Sequence, residues 1–177
     1  MNKTELKGLL QERVQGVVVF SENQTSEVFY AKPAADVWSV AENVQHLILS
    51  VQPLARLFGA PKSYFIEKWG KAPHSSRAYE QMVGIYDAAL GGGGVATGAF
   101  VPLTMAASKE QLLAEFVQIH QMLLQWVEAN WTEEELDEYP IPHPLLGLIT
   151  AREMLYFTAY HLLHHHQIMQ KRAAQVA

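Results

Sequence analysis

The chain has 177 residues, of which 49% are hydrophobic and 18% charged, the proportions of an ordinary globular protein. That length suits one domain, residues 1–177, which can bury a core without disulfides or structural metals. A net charge of −5 argues against a nucleic-acid partner, and the absence of cysteine excludes disulfides, thiolate ligands and a cysteine nucleophile.

The first residues, Met1 to Lys7, are charged and helix-forming, and the apolar run Val17–Phe20 is far too short to cross a membrane. A cytoplasmic protein without a membrane partner is therefore expected. A first helix is expected from Thr4 to Ser21, with Leu6, Leu9, Leu10, Val14 and Val17 on one stripe. Glu27–Tyr30 reads as a short extended piece at most. A second long helix starts at Ser39, where Ser-Val-Ala-Glu forms a capping box: the Ser39 hydroxyl and the Glu42 carboxylate satisfy orphan amides reciprocally. Its seam is Val40, Val44, Leu47, Val51 and Leu54, and Pro53 is expected to bend it or end it early.

A weaker helix covers Ser76 to Leu90. Gly91–Gly94 then opens a stretch of about sixteen residues that is long for a loop. It reads as a mobile surface crossover in preference to an active-site lid. The third long helix starts at the capping box of Ser108 and runs to Ala129 through Leu112, Phe116, Ile119 and Leu123. An acidic turn follows Thr132, and Pro140–Pro144 is a stiff, extended lead-in. The fourth helix starts at Thr150, again with a capping box, and continues to Ala174 through Met154, Thr158, His161, His165 and Ile168. Strand content is expected to be negligible and the fold class all-α.

Eight histidines are present, four of them between positions 161 and 166. Residues four apart on a helix share a face, with Cβ atoms about 5–6 Å apart, so two such imidazoles can reach one metal ion. Only His161 and His165 have this spacing, and both fall on the apolar seam; His164 lies beside it and His166 points away. A buried imidazole without a partner costs about 1–3 kcal/mol, which a shared metal relieves for both residues. The competing reading is a hydrogen-bonded core pair. A third ligand is needed, and spacing ranks His46 and His120 nearly equal.

The segment Val37-Trp-Ser-Val-Ala-Glu-Asn-Val-Gln-His-Leu47 resembles the DinB/YfiT-like family, with Trp-Ser at a helix start, a Glu three residues after the Ser and a His four further on. His143-Pro-Leu-Leu-Gly147, Thr150-Ala-Arg-Glu-Met154 and His161-x-x-His-His165 are similar to that family's final helix and its approach. The resemblance spans residues 4–174. It implies a four-helix bundle with a long crossover connection and a divalent metal (nickel, zinc or iron) held by His46, His161 and His165. It also implies hydrolase activity, or S-transfer from an external low-molecular-weight thiol, on a small-molecule substrate. Relatives often carry a Gln where this chain has Ile168.

Glu42 is a candidate to orient His46, but its capping role already explains it; Tyr156 and Tyr160 are candidate donors that are equally explained by packing. No catalytic base stands beside the ligands in sequence. The alternative to an enzyme is a non-catalytic, metal-stabilised or partner-binding bundle, and a homodimer is compatible with either.

Overall fold

Ser, Thr and Asn side chains set where most of the helices begin. The computed structural model describes residues 1–103 and 107–177. Asn2 caps α1 (Lys3–Glu22) and Thr25 caps α2 (Ser26–Tyr30), each accepting a backbone N–H of the first turn. Ser39, Ser108 and Thr150 cap the helices expected of them, α3 (Val40–Phe58), α6 (Lys109–Asn130) and α8 (Ala151–Val176), each through a complete capping box. Between α3 and α6 lie α4 (Lys62–Trp69), α5 (Tyr79–Gly91) and a 3-10 turn, Gly98–Phe100. Thr132 caps α7 (Glu133–Glu138), and β1 (Pro140–His143) pairs antiparallel with β2 (Gly147–Thr150) ahead of α8.

Helix directions follow from which ends touch. Met1 meets Arg152 and Tyr156, while Phe20 packs on His166, so α1 and α8 run parallel. Lys3 reaches the carbonyl of Trp131 and Lys109 that of Glu22, so α1 and α6 are antiparallel. Asn43 meets His165 and His46 meets His161, so α3 and α8 are antiparallel as well. The bundle is therefore up, down, down, up. Two parallel neighbours, α3 and α6, require a long connection, and residues 59–108 supply it. Phe58, Phe65 and Trp131 close the core at one end, with the Trp131 indole donating to the Phe58 carbonyl at 2.8 Å. Arg77 of the crossover pairs with the buried Glu153 at 2.6 Å, tying the connection to the start of α8. Among the described residues no helix is long and apolar enough to cross a membrane.

Four local expectations are corrected. The segment at Glu27–Tyr30 is helical because Thr25 supplies a cap and Phe29 buries completely. Pro53 does not end α3; Leu54, Ala55 and Phe58 beyond it are buried, and that packing outweighs one missing backbone bond. Pro140–Pro144 is more than a lead-in, because it enters a small hairpin whose turn is closed by Gly147 at φ 71° and by His143 Nδ1 accepting the N–H groups of Leu145 and Leu146. The seam of α8 continues through Met169, fully buried, with Ile168 beside it half-buried.

Candidate metal centre

His46 lies on the buried face of α3, and His161 and His165 on that of α8, one helical turn apart. Their exposures are 5%, 4% and 7%, and one nitrogen from each lies within 4.8 Å of the other two. His46 Nε2 and His161 Nε2 are 3.1 Å apart.

The protons on two of these rings are fixed by their neighbours. His46 Nδ1 lies 2.7 Å from the carbonyl of Phe100, an acceptor only, so Nδ1 carries the hydrogen. His165 Nδ1 lies 2.8 Å from Oδ1 of Asn43, whose Nδ2 donates to the Ser39 carbonyl at 2.8 Å. That second bond fixes which end of the amide faces His165, so its Nδ1 is also the donor. Each neutral ring is then left with a bare Nε2 lone pair, and that of His46 meets Nε2 of His161. A proton on His161 can serve only one of them. A divalent cation satisfies all three, and neutral imidazoles with hydrogen-bonded outer nitrogens are the usual form of such ligands.

Electrostatics favour the neutral form. Burial pushes His161 and His165 well below the ordinary histidine range, and neighbouring imidazoles push the same way. His46 is lowered chiefly by burial, against the opposing Phe100 carbonyl. Aromatic rings wall the cluster. Trp38 packs on His46 and His165 at 5.0 and 6.4 Å between ring centroids, and Phe157 stacks on His161 at 5.0 Å.

The other histidines lie elsewhere. His120 is buried on α6 outside the cluster, its Nδ1 donating to the Phe116 carbonyl at 2.7 Å and its Nε2 without a partner. Burial lowers it to about 4. His164 is half-buried beside the cluster, and His166 packs on Phe20 of α1. We expect His120→Leu to leave stability at pH 7 unchanged or raise it by about 1 kcal/mol, since it removes an unpartnered acceptor and Phe116 keeps its helical bond. Chemical denaturation checks this; a loss above about 2 kcal/mol contradicts it.

Glu42 does not orient His46; its carboxylate binds the Ser39 N–H and Lys32. Tyr160 donates to Asp87 and Tyr156 to the Met1 carbonyl, so neither phenol is bonded to the cluster. The roles of Asn43 and of the Phe100 carbonyl were missed. Asn43 shares the buried face of α3 with His46, but its partner is 122 residues away, and a backbone carbonyl leaves no trace in side-chain identity. Phe100 also corrects the reading of the crossover: the turn at 98–100 packs on α3 and holds a cluster histidine, while residues 104–106 of that stretch lie outside the described residues.

Solved structures share this fold, among them two four-helix bundles. YfiT from Bacillus subtilis, described as a probable metal-dependent hydrolase with an unusual four-helix bundle topology, matches at TM-score 0.61 and 15% identity, over 97% of this chain and 86% of its own. TT2238, a four-helix bundle protein, matches at TM-score 0.60 and 16% identity, over 96% of this chain and 98% of its own. No curated protein matches. The DinB superfamily model matches residues 10–169, nearly the whole sequence. The chain belongs to the DinB superfamily.

Proposed function

We propose that this protein is a metal-dependent enzyme acting on a small molecule, with His46, His161 and His165 as the metal ligands and hydrolysis as its reaction. The observation that carries the reading is the buried cluster of His46, His161 and His165, with one nitrogen of each within 4.8 Å of the others and the His46 and His165 tautomers fixed by Phe100 and Asn43. Three protein ligands leave a coordination position for water or substrate, the arrangement of catalytic rather than structural sites. When bound, a divalent ion supplies Lewis acidity, lowering the pKa of whatever water or thiol coordinates it. The description of YfiT as a probable metal-dependent hydrolase supports the same class.

S-transfer from an external thiol is a second reading, favoured by one observation. Among the described residues no carboxylate hydrogen-bonds to a cluster histidine, and the nearby Asp87 is engaged by Tyr160. Water needs a base to take its proton, whereas a coordinated thiol loses its own readily. The chain has no cysteine, so the thiol must be added.

Activity against a panel of esters, amides and electrophiles with added thiol is expected to vanish on chelation and return with nickel, zinc or iron. Turnover without thiol identifies hydrolysis. Turnover that survives complete metal removal contradicts both readings. A metal-loaded protein inactive on the whole panel favours the non-catalytic bundle.

A further inference from the structure

The two groups that orient the cluster are both uncharged, and one is a side chain. Asn43 is 1% exposed and spans two fixed points, accepting from His165 Nδ1 and donating to the Ser39 carbonyl, each at 2.8 Å. Ser39 is the N-cap of α3, and its carbonyl also accepts the Asn43 backbone N–H at 3.1 Å. The amide is thus tethered to the first turn of the helix that carries His46. Metal-ligating histidines commonly donate their outer N–H to a carboxylate. Here that place is taken by an amide at His165 and by a backbone carbonyl at His46. The nearest acidic side chain in sequence, Glu42, is engaged with Lys32 and the Ser39 N–H.

We propose that Asn43 is a positioning residue with two effects: by holding Nδ1 it fixes the His165 ring and leaves Nε2 free as the ligand atom, and as a neutral acceptor it leaves the ion's full charge for an anionic fourth ligand. The inference rests on the metal-site reading above. An aspartate at this position keeps the acceptor for His165 but brings a negative charge close to the ion, making the centre a poorer host for a second anion. It also loses the donor to Ser39, a helical carbonyl that the Asn43 backbone already satisfies.

The test uses cobalt(II) and azide as probes, on the wild type, Asn43→Leu and Asn43→Asp. Cobalt affinity is measured by competition with a chelator, azide binding by the visible spectrum of the cobalt protein, and folding by thermal melting without metal. Asn43→Leu is expected to lose about 10–100-fold in cobalt affinity while the metal-free protein still melts cooperatively. Asn43→Asp is expected to hold cobalt at least as tightly as the wild type but to bind azide about ten-fold more weakly. If Asn43→Leu fails to fold, the azide affinity of Asn43→Asp still decides the charge argument. Variants matching the wild type in cobalt affinity, spectrum and azide binding overturn the inference alone. A wild type that takes up no cobalt overturns the metal-site reading and the inference with it.

Discussion

Replacing His46, His161 or His165 by alanine is expected to abolish stoichiometric metal binding, taking the content from about one ion per chain to near zero in each case. The effect is large because each substitution removes a ligand and also breaks the geometry that the remaining two share. Without His46 the Phe100 carbonyl loses its donor, and without His165 Asn43 loses its partner, so the walls of the site loosen as well. His164→Ala and His166→Ala are expected to retain the metal, since neither ring belongs to the cluster. His120→Ala is expected to retain it too, because that ring is bound to Phe116 on the opposite helix pair. Elemental analysis of protein purified without a histidine tag checks all six variants. Metal lost from His120→Ala but kept by His46→Ala is incompatible with the ligand set. The metal-free variants are expected to stay folded on the apolar core, because the ion adds only linkage stabilisation.

Metal-free protein is expected to keep constant stability from pH 8 to about 6.5, then to lose it steeply towards pH 4. The cause is buried imidazole. His120 and His143 are both lowered to about 4 by burial. Their unfolded value is about 6.5, so between the two values the unfolded chain binds protons that the folded chain refuses. Folding stability therefore falls as pH falls, and the loss approaches about 3 kcal/mol for each residue by pH 4. Together the two come to about 6 kcal/mol, more than the lower end of the whole stability of a domain, about 5 kcal/mol. His161 and His165, held well below the ordinary range, act in the same direction. Urea denaturation across pH is the measurement. His120→Leu is expected to flatten the profile by one residue's share, and a wild-type midpoint unchanged between pH 7 and pH 4.5 contradicts the account.

The sequence alone carried the four long helices and the start signals of three of them. A capping box is local: the hydroxyl at Ser39, Ser108 or Thr150 and the Glu or Gln three residues later act within a single turn, so they are legible without tertiary structure. The pairing of His161 with His165 is equally local, being one helical turn. The choice of His46 over His120 was not local. Both lie on apolar faces of long helices, and only the packing of α3 against α8 brings one of them to the pair. The family resemblance named His46; spacing did not.

What the tertiary structure decided was everything that joins distant segments. Pro53 stays inside a helix because the residues after it are buried, an energy that local propensity omits. Glu42 was a candidate both for the helix cap and for His46, and its carboxylate goes to the cap, as its spacing from Ser39 explains, and to Lys32. The partners that do fix the site, Asn43 for His165 and the Phe100 carbonyl for His46, act across 122 and 54 residues. A hydrogen bond of that range is written by the fold, because only the crossing of helices and the path of the crossover put donor and acceptor together. The sequence thus determined which side chains are available to hold a metal, and the packing determined which nitrogen His46 and His165 leave free.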